Sequence, residues 1–152
     1  MSEPVDWDVV ARRLSAARNY WLVTVGAAGA PHAVPVWGAV HATALYLYTT
    51  RSTEKARNLE RDNRGLVHLE SGEEVVIVHG KLVDLGRPQE HSEVLDALGA
   101  KYSHPDDAGY LPQADPAYDV LYRLEPVRAL LWSLGSYDDS QQRWSAQDRA
   151  KS

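Results

Sequence analysis

The 152-residue chain contains no cysteine, no phenylalanine and a single methionine. Without cysteine there can be no disulfide, thiolate metal site or cysteine nucleophile, and the redox compartment stays open. Without phenylalanine, the aromatic surface belongs to five tryptophans and eight tyrosines, whose N–H and O–H groups want a partner or a wet edge. That suits a lined groove as well as a core. No apolar run approaches ~18 residues, and the opening "MSEPVDWDVV" has neither a basic nor an apolar stretch of the secretory kind. The expectation is a cytoplasmic protein without membrane contact. Cations are the scarcer charge, 16 Lys and Arg against 21 Asp and Glu for a net charge of −5, which argues against a general nucleic-acid or anionic-membrane surface. Any anion site must be local. The six histidines include no H-E-x-x-H and no pair at i,i+4, so no metal site is expected. G-x-S-x-G, Walker and G-x-G-x-x-G motifs are also missing.

What is present reads as one domain over residues 1–147 with a polar tail at 148–152, long enough to bury ~70% of its unfolded surface. Trp7, Val10 and Leu14 share a helical face behind Asp6, predicting a helix over residues 7–17. "YWLVTV", the glycine-containing turn "GAAGAP" and "HAVPVWGAV" read as a hairpin. Pro35 cannot donate to a ladder, so the second strand should have a free edge or a bulge there. "ALYLYTT" is a third strand; "GLVHLES" and "EVVIVHGKLVDLG" form a second hairpin, the latter apolar enough to be central. A helix follows over residues 89–102, then a long loop over residues 103–119 whose length points to function or partner contact. The final strands are "VLYRLEP" and "VRALLWSLGSY". This order argues for a mainly β (α+β) antiparallel barrel with short flanking helices, not a doubly wound sheet.

The segment "TTRSTEKARNLERDNR" at residues 49–64 follows the third strand and carries its cations unusually. Ser52 is a good N-cap for a helix over residues 53–61. Arg61 and Arg64 suit the negative end of the helix dipole. Lys55, in the first turn, and Arg51 just ahead of it oppose the positive end, at a cost of a few tenths of a kcal/mol. An anion bound there would offset that, since a capped helix start with Lys, Arg and hydroxyl donors is a physical solution to phosphate binding. The bland alternative is a solvated face, with Glu54 and Arg57 as an ordinary i,i+3 pair.

With this segment placed, the chain resembles the pyridoxamine 5′-phosphate oxidase-like split β-barrel family, and within it the flavin/deazaflavin oxidoreductase branch. The matching stretches are "LVTVGAAGAPHAVPVW", "LYLYTTRSTEKARNLERDNR", "VVIVHGKLVDL" and "YRLEPVRALLW", with a weaker echo in "QQRW". The most specific is R-S-x-x-K-x-R-N-L-x-R-D at residues 51–62. The resemblance implies a homodimer with two cofactor grooves between the subunits. It assigns Arg51, Ser52, Lys55, Arg57 and Asn58 to the cofactor phosphate, and Val36 and Trp37 to the side of the tricyclic ring. Tyr48, Thr49 and Thr50 fall on the strand leading to the phosphate, and Trp132 and Trp144 close the groove from the partner chain. Two departures are "WGAV", where relatives carry a larger apolar residue after the Trp, and "DNR" in place of "DPR".

The function implied is hydride transfer between the deazaflavin F420 and a small or planar organic substrate, with the chemistry supplied by the cofactor. This explains the missing triad and carboxylate dyad; no catalytic side chain is assigned. FMN is the alternative cofactor, because one phosphate clamp serves either. A third reading is a protein that holds the cofactor, or a tetrapyrrole such as biliverdin or haem, without turnover. The carboxylate-rich tail of F420 would need a longer cationic path, for which Arg57 and Lys81 are candidates.

Overall fold

The computed structural model describes residues 3–136 and 141–147; the expected tail at 148–152 and the end of the expected last strand, Tyr137, lie outside them. The described elements run β1 (Glu3–Pro4), α1 (Trp7–Ala16), β2 (Tyr20–Val25), β3 (Pro31–Val36), β4 (Gly38–His41), β5 (Ala44–Thr49) and α2 (Glu54–Arg61). They continue with β6 (Arg64–His68), β7 (Glu74–Asp84), α3 (Ser92–Lys101), β8 (Val120–Ser133) and β9 (Gln142–Ser145). The α+β, sheet-dominated architecture is the expected split barrel. The sheet is ordered β1-β9-β8-β7-β6-β2-β3, while β5 pairs with the first half of β8 and carries β4 on its far side. Strands β3 and β4 are joined through Trp37, so the barrel closes through the chain and not through a ladder. Its split lies there.

The alternating side chains of β2 put Tyr20, Leu22 and Thr24 inside. Tyr20 and Leu22 meet Val10 and Leu14 of α1, Val76, Val78 and Leu82 of β7, and Leu124 and Leu131 of β8 in the main core. A second, smaller core on the outer face of β4, β5 and β8 holds α3 through Val94, Leu98 and Tyr102.

Several local expectations change. The helix after β5 starts at Glu54 with Thr53, not Ser52, at the N-cap position and no side-chain cap; the Thr53 hydroxyl donates backward to Thr50 O at 2.7 Å instead. At Pro35 the free-edge alternative holds: the residue stays in register opposite Trp21 without a bulge, because no described strand pairs with the outer edge of β3 and a missing donor there is harmless. The bulge falls elsewhere, between His79 and Gly80, where Pro126 lies opposite. There a Cβ on Gly80 would stand 2.3 Å from Glu125 O, so the bare backbone lets β8 bend and run on as one strand where two were expected. The predicted helix over 89–102 is a 3₁₀ turn at Pro88–Glu90 followed by α3, the two separated by a non-helical His91 (φ −120°, ψ 77°).

Among the described residues no helix is long and apolar enough to cross a membrane.

Candidate functional site

The end of β3, the end of β5 and the first turn of α2 meet at the split and enclose a groove of about 320 Å³. Pro35, Val36 and Trp37 form one side, Tyr48 and Thr49 the other, and Lys55 reaches in from α2. Two tyrosines of the loop at residues 103–119 complete the wall: Tyr110, set edge-on to Trp37 (centroids 6.1 Å apart, 77°), and Tyr118, edge-on to Tyr48 (5.2 Å, 85°). The Tyr48 hydroxyl donates to Tyr110 O at 2.6 Å. Burial, then the neighbouring Tyr102 and Tyr118, raise the Tyr48 pKa, so it remains a protonated donor at ordinary pH. The loop is thereby latched over the groove.

Lys55 is half-buried, and its pKa is lowered by the loss of hydration. It makes no hydrogen bond or ion pair with any described residue. The groove therefore presents aromatic faces, an unpaired strand edge on β3 and one uncommitted ammonium.

Behind the groove, Trp37 is held on three sides. Its indole N–H donates to Asn19 Oδ1 at 2.9 Å, its ring stacks on Tyr102 (4.2 Å, 6°), and the Arg18 guanidinium lies 5.0 Å from its centroid. Arg18 is in turn bound by both oxygens of Asp107 at 2.8 and 3.3 Å, which ties the loop at 103–119 to the same ring.

The predicted site residues thus divide. Val36, Trp37, Tyr48, Thr49 and Lys55 share the groove. Thr50 and Ser52 shape the turn before α2, where Arg57 donates to Ser52 O at 2.8 Å. Arg51 points to the other side of α2, forming a two-point ion pair with Asp84 at 2.8 and 3.1 Å on the rim of a cleft of about 540 Å³. That cleft is larger than the groove, but both of its cations are engaged, Arg51 by Asp84 and Arg61 by Asn58 Oδ1 at 2.6 Å. Asn58 is buried and donates to Thr24 Oγ1 at 3.0 Å, anchoring α2 on β2. Trp144 is 7% exposed and packs on Trp7 with centroids 4.8 Å apart; Trp132 lies on β8 opposite Val75. Neither tryptophan lines the groove of its own chain.

Sequence reasoning had flagged the loop at 103–119 by its length but not Tyr110 or Tyr118, and it passed over Arg18, Asn19, Lys101 and Tyr102. Among the described residues no group of three His, Asp or Glu side chains is placed to hold a metal ion.

No curated protein matches the chain. Solved structures do. A conserved hypothetical protein from Mycobacterium tuberculosis is 24% identical, with 86% of each chain covered and a TM-score of 0.71. A heme binding protein from Mycobacterium smegmatis is 19% identical over 99% of this chain and 62% of that one (TM-score 0.72). An F420 reductase is 21% identical over 78% of this chain and 94% of its own (TM-score 0.62). These likenesses concern the fold. The pyridoxamine 5′-phosphate oxidase family model matches residues 7–133, which takes in the groove, its latching loop and the whole of β8, and the chain belongs to that family.

Proposed function

We propose that the protein is an oxidoreductase that moves a hydride between the deazaflavin coenzyme F420 and a small or planar organic substrate, with FMN as the alternative cofactor for the same groove. The observation that carries the reading is Lys55, a half-buried cation without a partner among the described residues, on the wall of an aromatic groove. Desolvating a charge without a counter-charge is unfavourable, and the phosphate of either cofactor supplies the counter-charge. The donor set fits. Trp37 offers a flat face for a ring, the free edge of β3 offers backbone groups beside it, and Lys55 stands where an anionic substituent would reach. The fold likeness to an F420 reductase supports F420 as the first choice.

When bound, the deazaflavin or flavin ring supplies the hydride chemistry. The chain binds and orients: Lys55 neutralises the phosphate, Trp37 and Pro35 set the ring plane, and the latched loop sheds water. The Tyr48 proton is committed to Tyr110 O, which leaves Tyr110, Tyr118 or solvent to protonate a reduced substrate. At about 320 Å³ the groove is at the lower end for a ligand site, and Tyr110 on its wall is 61% exposed. We infer that a second copy covers Tyr110 and completes the groove. The test is reoxidation of chemically reduced F420 or FMN by planar acceptors: protein-dependent turnover that Lys55→Ala lowers at limiting cofactor supports the reading, and a rate equal to the protein-free rate opposes it.

One observation favours a second reading, a tetrapyrrole-binding protein without turnover. His79 faces a separate cavity of about 420 Å³ with Ile77, Leu130, Trp144, Arg128 and Arg143. Burial and then Arg128 hold its imidazole toward the neutral, ligating form, and one structural neighbour is a heme binding protein. Haem titration followed by visible absorbance decides: a bound-haem band in the parent that His79→Ala lacks supports this reading, and no band opposes it.

A further inference from the structure

The corner that carries Trp37 is held by a hydrogen-bond arrangement with one proton too few, unless Lys101 is counted. The Tyr102 hydroxyl lies 2.6 Å from Arg18 O and 3.0 Å from Gly38 O, and it accepts from Gly38 N–H at 3.1 Å. A phenol has one proton, so it serves one of these carbonyls. The shorter contact assigns that proton to Arg18 O. Gly38 O is then served by the Lys101 ammonium, 2.8 Å away, whose second donor goes to Tyr20 Oη at 2.7 Å. The Tyr20 hydroxyl donates to Leu14 O at 2.7 Å, so its oxygen is left to accept from lysine.

Both carbonyls flank Trp37. Gly38 is the next residue and tolerates no side chain, since a Cβ there would stand 2.3 Å from Tyr46 O. Arg18 precedes Asn19, which holds the indole N–H. With Lys101 removed, one carbonyl loses its donor, and the ring loosens either at Gly38 or at Asn19. The ammonium also lies over the rings of Tyr20 (4.3 Å) and Tyr102 (5.0 Å), the latter being the ring on which Trp37 stacks.

We propose that Lys101 is a positioning residue: it fixes the orientation of Trp37 and thereby sets the affinity of the groove for a planar ring ligand that it does not itself touch. This rests on the groove being the cofactor site. Burial, reinforced by Arg18, lowers the Lys101 pKa to about 7, so its charge changes within the working range. The titratable groups around it are Tyr20 from β2, Tyr102 at the end of α3, Arg18 ahead of β2 and, through Arg18, Asp107 of the loop. The Tyr102 hydroxyl, pushed up to about 12, stays protonated throughout, as does Tyr20, whose pKa burial raises further. Arg18 and Asp107 stay an ion pair. Lysine is the member that titrates.

The test uses the full chain as parent, Lys101→Met, Lys101→Arg and Trp37→Phe. The Trp37 emission of the apo-protein, taken as the difference from Trp37→Phe, is followed across pH, and FMN and F420 are titrated at pH 6.5. The inference expects a Trp37 transition near pH 7 that Lys101→Met lacks. It expects Lys101→Met to bind at least fivefold more weakly while melting no lower than the parent, and Lys101→Arg to bind within twofold of the parent. It is overturned if the transition persists in Lys101→Met, if Lys101→Met binds within twofold of the parent, or if Lys101→Arg fails to recover the loss. Should the parent bind neither FMN nor F420, the cofactor reading falls by itself, and the Trp37 transition alone decides the role of Lys101.

Discussion

Replacing Lys55 by alanine should separate binding from folding in opposite directions. In the apo-protein the ammonium sits in the first turn of α2, at the positive end of the dipole, half-buried and unpaired among the described residues. Its folded pKa lies below the ordinary 10.5 because of desolvation. The sign follows: the charged form is disfavoured in the folded state, so the penalty is fully present below the folded pKa and is relieved as pH rises from there toward the unfolded value. At neutral pH, Lys55→Ala should leave stability unchanged or raise it by a few tenths of a kcal/mol. Binding should suffer. A hydrogen bond to a charged group contributes about 1.5–3 kcal/mol, which at about 1.4 kcal/mol per decade is roughly a 10- to 150-fold weaker affinity for F420 or FMN. Arg61→Ala is the control. It removes the same charge from the favourable last turn and a 2.6 Å bond to Asn58, so it should destabilise by about 1–2 kcal/mol and leave affinity alone. Urea denaturation and cofactor titration on both variants give the crossover. If Lys55→Ala binds as the parent does, or loses both stability and affinity together, the reasoning fails.

Trp144→Ala should destabilise by about 3–5 kcal/mol, since a nearly buried ring packed on Trp7 leaves a cavity; a urea midpoint corresponding to a loss below 1 kcal/mol would contradict its placement in the core. Lys101 has a folded pKa of about 7 against 10.5, so its ammonium penalises the fold below pH 7 and the penalty fades between pH 7 and 10.5. At about 1.4 kcal/mol per unit the full shift would correspond to about 5 kcal/mol, but partial exposure and two lost hydrogen bonds reduce this. Lys101→Met should be more stable than the parent by about 1–2 kcal/mol at pH 6, with the advantage gone by pH 10.5; a difference that does not vary with pH refutes it. The inferred second copy is checked by sedimentation: a dimer is expected at micromolar protein, and a stable monomer would leave the groove half-built.

The elements were legible where periodicity is strong. Trp7, Val10 and Leu14 announce α1, and the apolar run of β7 announces a strand with neighbours on both sides. The position of Lys55 at a helix start was legible too, as was Pro35 at an open edge. Direction was not. Arg51 and Lys55 are four residues apart, yet one turns to Asp84 and the other lines the aromatic groove, because the turn at Thr50–Thr53 sets their azimuths and its hydrogen bonds involve backbone atoms. Asn58 follows Lys55 by three residues and reads as its neighbour on the helix face, but α2 lies across β2 so that the later turn meets Thr24. The clamp behind Trp37 was the least visible part. Lys101 and Tyr102 reach Gly38 and Arg18 across 63 and 84 residues, and neither belongs to a motif; only the tertiary path of α3 brings them there.

The most direct test of the central claim is a parallel fluorescence titration of the purified chain with F420 and FMN, reading cofactor emission and the Trp37 component together. The account predicts saturable quenching of Trp37 by F420 or FMN, one cofactor per groove, with the affinity of the better ligand falling roughly 10- to 150-fold in Lys55→Ala. Saturable binding that leaves Trp37 emission and the Lys55 dependence untouched would place the cofactor elsewhere, and no binding of either would remove the oxidoreductase reading.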